Sequence, residues 1–145
     1  MYNQVYNGKK VLITGNTGFK GSWLTIWLLK LGAKVYGLSK DIPTEPSIFN
    51  EFDLKNNITH YENDVRDFDM VVKIIQEIKP DFVFHLAAQP LVSISYFNPI
   101  ETLSTNVMGT TNILESLRTI DHLCVGVLIT SDKCYDNVEW EWGYK

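Results

Sequence analysis

The sequence predicts an α/β fold, a doubly wound parallel sheet of about five strands with helices on both faces, and three observations predict it. Short apolar runs alternate with helix-length stretches along all 145 residues. The runs are rich in Val, Ile and Leu without polar alternation, as strands covered on both faces are. They are joined through helix signals rather than hairpin turns, so successive strands are linked by right-handed crossovers and run parallel.

Lys10-Val11-Leu12-Ile13-Thr14 is the first strand, ended by Gly15. A helix follows from Gly18 to Leu31; its Phe19, Trp23, Leu24, Ile26, Trp27, Leu28 and Leu31 cover most of the circumference and predict a buried helix. Gly32 is its stop. Residues 33–38 read as the second strand, residues 41–47 as a loop with Pro43 and Pro46, and residues 58–61 as the third strand. Asp67 caps a helix to about Ile78, with Met70, Val71, Ile74, Ile75 and Ile78 inward. Pro80 stops it, and residues 81–86 resume a strand. Asn98 as cap and Pro99 at the first helical position start a helix to about Thr119, carrying Leu103, Val107, Ile113, Leu114 and Leu117. Residues 124–129 form the fifth strand, broken at Thr130-Ser131.

Residues 1–145 suit one domain able to bury a single core. Thirteen basic against seventeen acidic residues leave a net charge of −4, and no basic run argues for a nucleic-acid partner. Cys124 and Cys134 make neither a disulfide framework nor a metal-ligand spacing, so no metal is expected. The start, Met1-Tyr2-Asn3-Gln4, lacks the regions of a signal peptide, and no run approaches the roughly 18 apolar residues of a membrane span. The expectation is a cytoplasmic protein without a membrane partner. At the other end Trp140-Glu141-Trp142-Gly143-Tyr144-Lys145 places two indoles where they need a surface to pack on, which suggests an incomplete domain.

Ligands of such sheets bind beyond the carboxyl ends of the strands. After the first strand comes Gly15-Asn16-Thr17-Gly18-Phe19-Lys20-Gly21, a G-x-x-G-x-x-G turn opening a helix. A dinucleotide's diphosphate needs close access to backbone N–H groups at a helix N-terminus, and a β-carbon at the approach points blocks it. The second strand ends in Leu38-Ser39-Lys40-Asp41, with Ser39 where an NAD site usually has the acid that binds the ribose; Asp41 is a candidate for that acid, and Ser39 with Lys40 tolerates a 2′-phosphate. Asp64 is placed to accept from an adenine amino group with Val65 against the ring, and Arg66 is left open between roles. In His85-Leu86-Ala87-Ala88-Gln89-Pro90 the two alanines permit close backbone approach, while His85 reads as a packed residue and not a base. Thr130-Ser131-Asp132-Lys133 places a hydroxyl, a carboxylate and an amine at the last strand end, where leaving strand geometry lets them converge on one substrate.

These segments, with Thr105-Asn106-Val107-Met108-Gly109-Thr110, resemble the extended short-chain dehydrogenase/reductases, which have a Rossmann-like fold. Within them Phe19-Lys20-Gly21-Ser22-Trp23, Pro43-Thr44-Glu45-Pro46-Ser47 and Ser131-Asp132-Lys133-Cys134-Tyr135 resemble the CDP-glucose 4,6-dehydratases, from Lys9 to Tyr144. The resemblance implies an NAD-dependent lyase, NADP remaining open, that removes water from CDP-glucose to give CDP-4-keto-6-deoxyglucose for dideoxyhexoses of lipopolysaccharide. It implies catalytic roles for Ser131, Asp132, Lys133 and Asn106. For the cofactor it implies Gly15, Thr17, Gly18, Phe19, Lys20, Gly21, Ser39, Asp64, Val65, Leu86, Ala87, Ala88, Gln89 and Thr130. A homodimer through the helix starting at Pro99 is also implied.

The family's Tyr-x-x-x-Lys pair does not follow Lys133: Tyr135 has Glu139 four residues on, and the chain ends at Lys145. The expectation is therefore the N-terminal part of such an enzyme, inactive alone. The alternatives are a non-catalytic dinucleotide-binding fragment and a sugar-nucleotide epimerase or reductase of the same superfamily.

Overall fold

The computed structural model describes residues 4–131 and 135–143. Five strands, β1 (Lys10–Thr14), β2 (Lys34–Ser39), β3 (Thr59–Glu62), β4 (Phe82–His85) and β5 (Val125–Leu128), form one sheet in the order β3-β2-β1-β4-β5. Every pairing is parallel, with Thr14 level with Leu38 on one side and His85 on the other. The reversal of order at β1 opens a crevice at the carboxyl ends of β1 and β4, where this architecture takes its ligands.

The sheet separates two apolar layers. On one face Val11, Ile13 and Val35 pack with Leu28 of α1 (Phe19–Lys30) and with Tyr6, whose ring lies against Phe82. On the other, Leu12, Leu38 and Val83 meet Val71, Ile74, Ile75 and Ile78 of α4 (Phe68–Ile78) and Ile113 of α7 (Gly109–Arg118). The sequence reading of α4 holds: Asp67 caps it by accepting from the Met70 amide.

The expectation for α1 needs correction. The residues it buries are Gly21, Ser22, Thr25 and Leu28, while Phe19, Trp23 and Trp27 are exposed. The helix starts so close to the glycine turn that only small side chains fit beneath it. Ser22 donates to the Asn16 carbonyl and Thr25 to that of Gly21, so both hydroxyls are satisfied in the core.

The single helix expected from Pro99 to Thr119 is three pieces. They are α6 (Pro99–Leu103), a π-helical turn (Ser104–Met108) and α7. Its start is as expected, with Asn98 accepting from the Glu101 amide. Of its apolar residues Ile113 is buried, whereas Leu103, Val107 and Leu114 are exposed. Three short helices had no periodic signal: α2 (Ile48–Glu51), α3 (Leu54–Asn57) and α5 (Val92–Phe97). Among the described residues no helix is long and apolar enough to cross a membrane, and no cluster of metal-ligating side chains is present.

Candidate functional site

The turn between β1 and α1 is built around three glycines with different duties. Gly15 has φ +73°, and a β-carbon there meets the Ala87 amide nitrogen at 2.8 Å and the Leu86 carbonyl carbon at 2.9 Å. This contact brings the turn against the end of β4. A β-carbon on Gly21 runs into the Gly15 carbonyl oxygen. Gly18 differs: its φ of −72° and ψ of 168° suit any residue, and a β-carbon there finds only the Gly15 oxygen, at 3.4 Å. Neither strain nor packing within the protein calls for glycine at 18; open space lies beside it.

That space adjoins the start of α1, which has no side-chain cap and no acidic residue in its first turn. By contrast α2, α4 and α6 are capped by Ser47, Asp67 and Asn98. An uncapped N-terminus leaves amide donors and the positive end of the helix for an anion. The residues thus fit a dinucleotide's diphosphate: a cradle that a β-carbon at 18 would fill, over free donors.

Around the turn the polar side chains brace the backbone. Asn16, fully buried, accepts from the Ser39 hydroxyl at 2.7 Å, and its amide nitrogen lies 3.3 Å from His60 Nδ1. Ser39 Oγ in turn accepts from the Thr17 amide at 3.3 Å, and Thr17 donates its hydroxyl to the Asp41 carbonyl at 2.6 Å. Ser39 therefore sits at the expected strand end but is engaged in holding the turn. Beside it lies a hollow of about 280 Å³ lined by Ser39, Lys40, Asp41, Ile42, Phe49, Lys55, His60 and Glu62. Burial, aided by the Lys55 charge, pushes His60 below the usual histidine range. Past β1 on the other side, Phe19, Lys20, Trp23, Leu24, Trp27 and Leu86 line an open groove of about 470 Å³.

After β3, Asp64 is clasped by Arg66. The Arg66 amide donates to Oδ1 at 2.9 Å, while Nε and Nη2 donate to Oδ2 at 3.0 and 2.6 Å. Side-chain hydrogen bonding from Arg66 holds the Asp64 carboxyl below the usual range, against the opposing effect of burial. Arg66 also reaches Glu101 of α6 at 3.1 Å, and Lys40 lies 3.7 Å from the same carboxylate. Val65 is buried in the core beneath α7, and Asn112 of α7 donates to the Val65 and Arg66 carbonyls at 2.9 and 3.0 Å.

After β4, Leu86, Ala87, Ala88 and Gln89 lead away from the sheet. Asn106, in the π-helical turn, grips the Gln89 backbone twice: Oδ1 accepts from its amide at 2.7 Å and Nδ2 donates to its carbonyl at 3.1 Å. His85 is buried as expected, between Thr14 Oγ1 at 2.7 Å and Thr110 Oγ1 at 3.0 Å, and burial lowers its pKa to about 4. Thr130 and Ser131 are exposed past β5, while Asp132 and Lys133 lie outside the described residues.

The structure thus brings Gly15 to Ala87, Thr17 to Ser39 and Asn106 to Gln89. Sequence reasoning missed Asn16, Thr14 and Thr110. A signal for Asn16 exists in hindsight: an amide beside the first glycine needs a partner, and a strand-end serine is a natural one.

Sheet order, glycine turn and uncapped helix together define a Rossmann-like domain of the kind that seats a dinucleotide. Residues 12–141 match the model of one family, described as GDP-mannose 4,6 dehydratase, and the chain belongs to that family. It is 52% identical over 140 residues to a CDP-glucose 4,6-dehydratase of Salmonella typhimurium, covering 97% of this chain and 39% of that one. It is 37% identical over 121 residues to a GDP-mannose 4,6-dehydratase of Vibrio cholerae, covering 76% and 31%. A UDP-glucose 4-epimerase of Thermus thermophilus, solved in complex with NAD, superposes with a TM-score of 0.67 at 30% identity, covering 75% of this chain and 33% of that one. The chain thus spans at most about two fifths of the length of these relatives.

Proposed function

We propose that this chain is the N-terminal, dinucleotide-holding part of a CDP-glucose 4,6-dehydratase that uses NAD. The observation that carries the reading is the turn itself: Gly15 and Gly21 are dictated by backbone contacts, whereas Gly18 keeps open the space over an uncapped helix N-terminus. The step from dinucleotide to CDP-glucose is supported by the 52% identity with the Salmonella typhimurium enzyme, against 37% with the GDP-mannose enzyme of Vibrio cholerae.

When bound, NAD supplies a hydride acceptor for C4 of the hexose and a donor for C6. This chain supplies groups that hold the cofactor and that move the C5 proton and the C6 hydroxyl. The first-turn amides of α1 hold the diphosphate, and Asp64, already ionised beside Arg66, has acceptor capacity for an adenine amino group. Ser131 holds the C4 oxygen, Asp132 protonates the departing C6 hydroxyl and Lys133 removes the C5 proton, which a C4 ketone acidifies. Lys133 must be neutral to do so, which desolvation or a nearby positive charge favours. No Tyr-x-x-x-Lys pair follows Lys133, so turnover is expected only from a longer chain. The working unit is a cytoplasmic homodimer; its dimeric state is supported by the exposed apolar side chains Ile100, Leu103 and Val107 along the segment that starts at Pro99.

The test is incubation of the protein, in the length its source produces, with CDP-glucose and NAD in heavy water. A 4-keto-6-deoxy product with deuterium at C5 is expected by NMR, and Lys133→Met abolishes C5 exchange while sparing NADH binding. Dehydration of GDP-mannose but not of CDP-glucose refutes the nucleotide. NADH binding without dehydration of either sugar leaves a binding module.

A further inference from the structure

His85 is the one buried ionisable group among the described residues at the crevice that the proposed chemistry does not use, and its surroundings fix where its proton sits. Thr14 Oγ1 accepts from the backbone amides of Leu86 at 3.2 Å and Ala87 at 3.1 Å. A hydroxyl has two lone pairs and one proton. The Leu86 amide is shared with the Thr14 backbone carbonyl, at 3.1 Å, so the direction is settled from the far end: Thr110 gives its one hydroxyl proton to the Asn106 carbonyl, its oxygen can only accept from His85 Nε2, and the neutral ring takes the Thr14 proton at Nδ1, 2.7 Å away. Nδ1 is therefore the bare nitrogen, and the ring carries its proton on Nε2, which donates to Thr110 Oγ1 at 3.0 Å. Thr110 passes its own proton to the Asn106 carbonyl at 2.7 Å. All the donors along this path point one way, from β1 to the π-helical turn.

The end of the path matters because of what Asn106 holds. Its side chain binds both backbone groups of Gln89, and the Gln89 side chain donates to Thr102 Oγ1 at 2.8 Å and accepts from the Leu91 amide at 2.8 Å. π-helical turns are rare and occur frequently at functional sites.

We infer that His85 is a positioning residue: as a neutral ring protonated on Nε2, it links the floor of the glycine turn to the π-helical turn and thereby holds Asn106 on the β4–α5 loop. The link rests on hydrogen bonds alone, but its importance to the site rests on the dinucleotide reading above. The ring is held at 2% exposure and burial keeps it from ionising, so the link persists at neutral pH.

Two measurements on the protein test it. The first is nitrogen NMR of the His85 ring without ligand, where a bare Nδ1 and a protonated Nε2 are expected at neutral pH; a ring protonated on Nδ1, or on both nitrogens, overturns the link. The second is amide hydrogen exchange at Gln89, read against Val83 in the core of β4. Thr110→Val removes the hydroxyl and keeps the shape; it is expected to speed exchange at Gln89 about tenfold over any change at Val83, the loss of one hydrogen bond's worth of local stability. Thr110→Ser is expected to restore the wild-type rate. Equal acceleration at both amides, no acceleration at Gln89, or no rescue by serine overturns the positioning role. If ring and exchange behave as expected while wild-type protein ignores NADH, the link stands and the dinucleotide reading falls.

Discussion

Replacing each glycine of the turn by alanine separates the glycines the fold needs from the one a ligand needs. Gly21→Ala drives a methyl into the Gly15 carbonyl, and overpacking against immovable backbone costs about 1–3 kcal/mol. Gly15→Ala adds to a 2.8 Å contact with the Ala87 amide the cost of a left-handed conformation, about 1–2 kcal/mol. For a domain of this size each kilocalorie lowers the melting temperature by roughly 2–4 °C, so both variants melt several degrees low. Gly18→Ala has an ordinary extended backbone and its new methyl touches one atom at 3.4 Å. It should melt as wild type does, or about 1–2 °C higher through the stiffer unfolded chain. Its methyl occupies the approach to the amides of α1, however, and losing one charge-assisted hydrogen bond worth about 1.5–3 kcal/mol weakens NADH binding roughly 10- to 100-fold. Thermal unfolding by circular dichroism without ligand, and NADH titration followed by tryptophan fluorescence, read the two effects separately. Gly18→Ala binding NADH within about twofold of wild type would mean that no diphosphate lies over this turn. If it melted as low as Gly21→Ala, the open space beside Gly18 would not exist.

Acid should destabilise the protein in a window set by His85. The unfolded ring titrates near 6.5 and the folded ring near 4, so between these values the unfolded chain binds the extra proton. The stability from keeping the ring neutral is complete above about pH 6.5 and falls by roughly 3 kcal/mol on the way to pH 4; His85→Gln should flatten urea-derived stability in that window, and an unchanged slope refutes the shift. Asn112→Ala strips the buried Val65 carbonyl and the half-buried Arg66 carbonyl of their donor and should cost about 2 kcal/mol by the same unfolding assay; a loss below about 0.5 kcal/mol would show that water replaces the amide. Glu101→Gln removes the carboxylate facing Lys40 and should improve NADPH relative to NADH by no more than about fivefold, the worth of an exposed ion pair. A ratio unchanged on titration would mean that Lys40 does not face the ribose.

What could be read in advance followed from local rules. Lys10–Thr14 was legible to the residue because an unbroken apolar run ending in glycine has few other uses. The helix Phe68–Ile78 was legible because its cap and its 3.6-residue period agree. The parallel run of the strands followed from alternation and handedness, and the glycine turn announced itself by position, whereas the strand order came from the structure.

The failures arise where contacts, not periodicity, decide. α1 was misjudged because its aromatic residues outweighed its small ones in the count, while Gly21 and Ser22 lie against Gly15 and Asn16 of the turn and Trp23 and Trp27 stay outside. The π-helical turn at Ser104–Met108 leaves no mark in periodicity, since its support comes from Asn106 on Gln89 and from Thr110 beneath His85. Ser39 proved to be bound to Asn16, 23 residues earlier.

Apolar spacing and φ preferences act within a few residues, and the strands, the crossovers and the place of the glycine turn could be read from them. Which glycine is spared for a ligand, which face of α1 is buried and which nitrogen of His85 holds the proton emerge from contacts made in the folded chain. The Asn16–Ser39 and Thr14–His85 hydrogen bonds, both 2.7 Å, join residues 23 and 71 positions apart, and at such contacts hydrogen-bond valence and excluded volume, not local propensity, set the outcome.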